Sequence, residues 1–187
     1  MSFFRTAFWL WGIGCCLAIR LGASAAEVCL QQDFEATNCL AQWSGPGMLE
    51  DGYRGGRSLA VESQSDGAVV RCALSAAQLK GCAIRVSARV KARGVSSRPN
   101  SWNGIKLMLA VETPAGKQWP QAQIDTGTFD WVQISFFTRV PVDATNLHLV
   151  MGLERVSGKV WFDDLKVTLV RKWSEPPRAQ SLGAVYK

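Results

Sequence analysis

Histidine is almost missing from this chain: His148 is the single one in 187 residues, and no Gly-x-Ser-x-Gly turn occurs. A nucleophilic triad needs a base held within hydrogen-bond reach of its nucleophile, so that chemistry is poorly supported. No Cys-x-x-Cys pair is present, and with one imidazole the chain offers little to a zinc ion. Lys and Arg outnumber acids by 21 to 15 but form no run suited to a nucleic-acid arm. The clearest apolar run, Ala7 to Ile19, is too short to span a membrane. Outside it, no segment sustains a helical period.

That apolar run has its own meaning. Arg5 precedes it and Ala23-Ser24-Ala25 follows, the order of a secretory leader with a small-x-small cleavage site. Residues 1–26 are therefore expected to be a signal peptide, cut after Ala25 or Ala26. The remainder, about 160 residues, is long enough for one domain with a real core. Loss of Arg5 and Arg20 lowers the formal charge from +6 to +4, a mild excess scattered along the chain. Four cysteines remain, Cys29, Cys39, Cys72 and Cys82. An even count in an exported chain points to two disulfides, with three possible connectivities. The local pairing, Cys29–Cys39 with Cys72–Cys82, is the one expected here.

The dominant pattern is a period of two. Ile84, Val86, Ala88 and Val90 alternate with Arg85, Ser87, Arg89 and Lys91. Ile105, Leu107, Leu109 and Val111 alternate with Lys106, Met108, Ala110 and Glu112. The same holds for Val132, Ile134 and Phe136 against Trp131, Gln133 and Ser135, and for Leu147, Leu149, Met151 and Leu153 against Asn146, His148 and Val150. Successive side chains of a strand point to opposite faces, so these are half-buried strands. Shorter strands are expected at 28–35, 58–62 and 68–72, one helical turn within 73–79, and an edge strand at 119–124 weakened by Pro120. Some eight or nine strands with a turn every ten or so residues predict an all-β, two-sheet antiparallel sandwich over residues 27–170. The pattern stops at Arg171, and 171–187 reads as a linker-like tail.

The last strand, from Lys159, carries the oddest residue. Simple alternation puts Trp161, Asp163, Leu165 and Val167 on one face, which makes Trp161 a core residue. An aspartate in such company is costly unless paired or bound to a cation. Asp163 and Asp164 are neighbours on one strand and point apart, which suits them poorly to paired-carboxylate hydrolysis.

Binding is better supported than catalysis. If adjacent strands share a sheet, their polar faces gather Arg85, Arg89, Lys106, Trp131, Gln133, Asn146 and His148. An aromatic plane stacks on the apolar face of a pyranose, and amides and cations bond its hydroxyls. Trp102 and Trp119 border loops and are the candidates for exposed platforms. The ligand-binding candidates are thus Trp102, Lys106, Trp119, Trp131, Gln133, His148 and Arg89.

Asp33-Phe34-Glu35, Trp43, Gly55-Gly56-Arg57-Ser58-Leu59, Trp102-Asn103-Gly104-Ile105-Lys106, Gly127-Thr128-Phe129-Asp130-Trp131 and Gly158-Lys159-Val160-Trp161-Phe162-Asp163-Asp164 occur in this order. Together they resemble the galactose-binding-like jelly-roll carbohydrate-binding modules that accompany bacterial glycoside hydrolases. The resemblance runs through nearly all of residues 28–170. It implies two opposed sheets, no intrinsic catalysis, and glycan binding on a concave face or at loop tips. It also implies a structural calcium ion joining the first strand to the last, held by Glu35, Asp163, Asp164 and backbone oxygens near Gly55, ligands of the hard kind calcium prefers. The expected protein is a secreted, periplasmic or envelope-located monomer. It binds a polysaccharide of β-glucan, cellulose or xylan type, with no nucleic-acid partner and no membrane span after removal of the leader. The alternatives are an adhesive or structural envelope sandwich without a sugar site, and the N-terminal part of a glycoside hydrolase.

Overall fold

The computed structural model of the chain describes residues 27–172. The expected leader, and the expected tail from residue 173 onward, lie outside the described residues. Eleven strands account for most of what is described: β1 (Glu27–Gln32), β2 (Trp43–Ser44), β3 (Gly47–Asp51), β4 (Arg57–Ser63), β5 (Gly67–Leu74), β6 (Cys82–Val95), β7 (Gly104–Thr113), β8 (Gly116–Gln118), β9 (Gly127–Arg139), β10 (Asn146–Glu154) and β11 (Gly158–Lys172). One helical turn, Ala76–Leu79, joins β5 to β6.

The strands form two antiparallel sheets. The first runs β3-β4-β11-β6-β9, with β1 also paired to β11, and the second runs β2-β5-β10-β7-β8. The expected two-sheet sandwich is what forms. Alternation explains it: in β6, Ile84, Val86, Ala88 and Val90 are fully buried, while Arg85, Arg89, Lys91 and Arg93 sit on the other face. Leu107 and Leu109 of β7 and Leu147, Leu149 and Met151 of β10 bury the inner face of the second sheet. Phe34, Leu59 and Phe162 fill the space against them. Each such side chain contributes about 1.5–3 kcal/mol by leaving water.

Four expectations are corrected. The segment 119–124 is not a strand. It makes only an isolated bridge from Gln121 to Met108, with Leu109 N donating to Pro120 O at 2.9 Å and Ala122 N to Leu107 O at 3.0 Å. Pro120 has no N–H to give the ladder, so the segment runs beside β7 irregularly. In the second correction, β11 carries on through Arg171 to Lys172, so the strand outlasts the expected end of the domain at 170.

The third correction concerns the phase of β11. Asp164 has φ of 47°, and the pairing with β6 shifts register between Asp163 and Lys166. This extra residue moves the alternation by one. Val160 and Phe162 therefore share the core face with Leu165 and Val167. Trp161 and Asp163 belong to the outward face of the first sheet. Trp161 is still well covered, but by polar and cationic neighbours: Glu50 accepts its Nε1–H at 2.9 Å, and Lys91, Arg93 and Lys159 lie 5.3–5.7 Å from its ring.

The fourth concerns sulfur. Cys29, Cys39, Cys72 and Cys82 are all free thiols, and the local pairs do not form. Cys72 lies on β5 in the second sheet and Cys82 on β6 in the first, while Cys29 is on the exposed edge strand β1 and Cys39 is buried in a short 3-10 turn. Cys39 Sγ donates instead to Phe34 O at 3.5 Å and Cys72 Sγ to Ala73 O at 3.7 Å. Burial pushes both thiols above their ordinary value.

Candidate functional site

The outward face of the second sheet is floored by β5, β10 and β7, whose register aligns side chains in rows. Lys106 stands beside Gly152 and Val69, Met108 beside Val150 and Arg71, and Ala110 beside His148 and Ala73. Gly152 opens the middle of the floor. Its φ is 133°, and a Cβ there would lie 2.3 Å from the Ala68 carbonyl oxygen, so no larger residue fits this close approach of β10 to β5. Above the floor is a cleft of about 960 Å³, lined by Arg71, Lys106, Gln121, His148 and Glu154, and by Trp102 and Trp119. Those two tryptophans are 61% and 57% exposed, the most open indoles among the described residues.

A polar network ties the two tryptophan-bearing segments to the floor. Lys106 is buried on this face, with its ammonium 2.6 Å from Glu154 Oε2. It donates to Gln121 Oε1 at 2.9 Å and also to the Trp102 carbonyl. Asn103 Nδ2 donates to the same Glu154 oxygen at 3.1 Å. A buried ammonium needs this set of partners. Burial pushes the Glu154 carboxyl up, but Lys106 and Asn103 more than offset it and hold it below the usual carboxylate value. One cation thus fixes the turn that carries Trp102 and the segment that carries Trp119. Lys106 positions this site and is itself mostly spoken for.

The sequence-derived candidates divide between two surfaces. Trp102, Lys106, Trp119 and His148 come together in the cleft. Trp131, Gln133 and Arg89 do not: they lie on the outward face of the first sheet, where Gln133 pairs with Arg89 across β9 and β6. The polar faces do not form one surface, because β6 and β9 belong to one sheet and β7 and β10 to the other. Arg71, Gln121 and Glu154 were missed. Extending the alternation of β10 by two positions places Glu154 on the face of His148, and the alternation of β5 places Arg71 opposite Cys72. No periodic signal marks Gln121.

The acidic pair is also divided. Asp163 is buried; its Oδ2 accepts from Tyr53 N at 2.8 Å and its Oδ1 from Asp164 N at 2.7 Å. Asp164 itself is exposed. Glu35 Oε1 accepts from Arg57 N at 2.8 Å, and the glycine turn wraps both acids: a Cβ on Gly56 would lie 2.1 Å from Glu35 Oε1, and one on Gly52 2.8 Å from Asp163 Oδ2. Burial raises the Asp163 carboxyl, and the charges of Asp164 and Glu35 raise it further. Among the described residues no three His, Cys, Asp or Glu side chains converge as metal ligands. Any cation here would draw on backbone carbonyls beside Glu35 and Asp163.

No family model matches the chain, and no curated protein does. Solved structures do. The chain is similar to the CBM22-1–GH10 modules of Clostridium thermocellum endo-1,4-β-D-xylanase 10B, complexed with xylohexaose, at TM-score 0.60 and 17% identity, covering 81% of this chain and 30% of that one. It is similar to the CBM22-1 xylan-binding domain of Paenibacillus barcinonensis Xyn10C at TM-score 0.59 and 16% identity, covering 80% of this chain and 98% of that one. A family 11 carbohydrate-binding module of Clostridium thermocellum, in complex with a β-1,3-1,4-mixed-linked tetrasaccharide, aligns at TM-score 0.51 and 17% identity over 77% of this chain and 96% of its own. The fold is that of these carbohydrate-binding modules. This protein spans less than a third of that CBM22-1–GH10 chain.

Proposed function

We propose that the protein is a noncatalytic module that binds a neutral polysaccharide of xylan or related β-glycan type along the outward face of its second sheet. One observation carries this reading: two exposed indoles, Trp102 and Trp119, border a cleft whose polar floor is already hydrogen-bonded into place. Sugar rings lie flat on such indoles, while His148, Gln121 and Arg71 offer bonds to hydroxyls. Glu112 and Glu154 of the cleft fit binding better than hydrolysis. A general acid needs a raised pKa. Lys117, 2.7 Å away, holds Glu112 low, and Lys106 and Asn103 hold Glu154 low against its burial. Export of the chain by its leader, and action outside the cytoplasm, belong to the same reading.

Affinity electrophoresis of the intact chain in gels containing xylan, mixed-linkage β-glucan, hydroxyethylcellulose or mannan tests this. Retardation by xylan or a β-glucan is expected. Passage through all four gels by a folded protein would refute the reading in favour of an adhesive or structural sandwich.

We propose further that calcium joins the first and last strands at Glu35 and Asp163. It would supply the positive charge that a buried carboxylate with two acidic neighbours calls for. A chelator should then lower the melting temperature of the protein, and Asp163→Asn should abolish that sensitivity. Equal melting with and without chelator would leave Asp163 as a carboxylate held by two backbone N–H groups alone.

A further inference from the structure

The outward face of the first sheet has no role in the cleft, and its chemistry is different. Tyr53 and Trp131 meet there edge to face with ring centroids 6.1 Å apart. The Arg89 guanidinium lies 4.3 Å from the Tyr53 centroid, Arg54 4.9 Å from the same ring, and Arg93 5.4 Å from Trp161. Lys91 stands 6.0 Å from the Trp131 centroid. Among the described residues, none of these three arginines makes an ion pair, and Arg89 Nε has no hydrogen-bond partner. Three acids of the face are engaged elsewhere, Glu50 and Glu62 holding Lys159 at 2.6 and 3.2 Å and Asp163 accepting backbone N–H groups, while Asp51 lines a hollow beside Lys91 and Trp161. The open, 86% exposed Asp130 lies 3.8 Å from Lys91. Stacking fixes the guanidinium planes without an ion pair, although Arg93 is near enough to help hold the Glu50 carboxyl low.

We propose that this face is a second glycan site and that it takes a uronate-bearing polysaccharide. Trp131 supplies the plane for a sugar ring, and the exposed Arg54 and Arg93 supply forks that match a carboxylate in two-pronged fashion, while Tyr53 and Arg89 hold Arg54 and Trp131 in place. An aromatic ring beneath each guanidinium lowers the cost of holding it there before the ligand arrives. A neutral glycan would leave the arginines unused, and charge complementarity therefore selects the acidic sugar. The site does not depend on the cleft, so either can fail without the other.

The test uses the intact chain in affinity gels containing polygalacturonate, neutral xylan, dextran sulfate or a single-stranded oligodeoxynucleotide, at moderate salt. The expected result is retardation by polygalacturonate well above that by the sulfate polymer or the oligonucleotide. Arg54→Gln combined with Arg93→Gln should weaken it about tenfold, since both side chains are exposed and charge-assisted bonds are lost. Trp131→Ala should weaken it as well, with circular dichroism confirming the fold. Both variants should keep their neutral-xylan mobility. The proposal is overturned if polygalacturonate does not retard the chain, if the double variant is retarded as before, or if sulfate or DNA binds equally well. The last outcome would mark a face that reads charge and no sugar.

Discussion

On the second sheet the one buried cation, Lys106, is closed off by Glu154, Gln121 and the Trp102 carbonyl, and the indoles stand clear of it. On the first sheet the indole of Trp161 is sealed beneath Lys91, Arg93 and Lys159, and three arginines rest on rings without an ion pair. One face spends its charge on its own architecture and exposes aromatic planes. The other spends its aromatics on holding charge and exposes the charge. The same ingredients therefore make two surfaces of opposite character, one proposed for neutral chains and one for anionic ones.

The sharpest way to break the second face is at its floor. Gly152→Ala puts a Cβ 2.3 Å from the Ala68 carbonyl oxygen at φ of 133°, and should cost about 2–4 kcal/mol in urea denaturation. Arg93→Gln on the first sheet should change stability by less than about 0.5 kcal/mol. Next in size is Lys106→Met, which leaves Gln121 Oε1 without its donor and Glu154 with Asn103 alone. With Glu154 still 43% exposed, about 1–3 kcal/mol is expected, together with weaker neutral-glycan retention as the Trp102 and Trp119 segments lose their common anchor.

Acid titration separates the faces least but touches both. The Glu50 carboxyl is held low first by Lys159, with burial opposing and Trp161 adding to the effect. With Glu154 also low, each contributes stability that is present above the ordinary carboxylate value of 4.5 and lost as pH falls through the depressed folded value. The melting temperature should thus fall as pH drops below 4.5, and Glu50→Gln should flatten part of that fall. In chelator, with no cation beside it, Asp163 runs the other way. Its folded value is raised, so its contribution is present below the ordinary 3.8 and lost as pH rises through that raised value. Asp163→Asn should therefore leave the acid-side loss in place.

Much of this was legible in the sequence, because a period of two is a direct imprint of strand geometry. The long strands β6, β7, β9 and β10 follow from it, and so do the inner faces of all but β9, where Phe136 is buried and Val132 is 41% exposed. Alternation says which residues share a face of a strand, but not which strands share a sheet. That is why Trp131, Gln133 and Arg89 were grouped with Lys106 and His148, although β9 and β6 lie across the core from β7 and β10. Nor does alternation reveal a bulge. Asp164, in a left-handed conformation, shifts the phase of β11 and moves Trp161 from the core to the outward face. The strand β3 went unread because it is short and opens on Gly47 directly after Gly45-Pro46. Trp102 and Trp119 were found because tryptophans beside turns have little core to enter. Gln121 acts from an irregular segment and left no pattern to find.

The central claim is that neutral chains bind between Trp102 and Trp119 and not on the first sheet. Titration with xylohexaose, followed by isothermal calorimetry on the wild type, Trp119→Ala and Trp131→Ala, tests it directly. Loss of one stacking plane should weaken binding to Trp119→Ala by about tenfold, while Trp131→Ala binds as the wild type does. Binding that survives in Trp119→Ala and disappears in a folded Trp131→Ala would contradict the account.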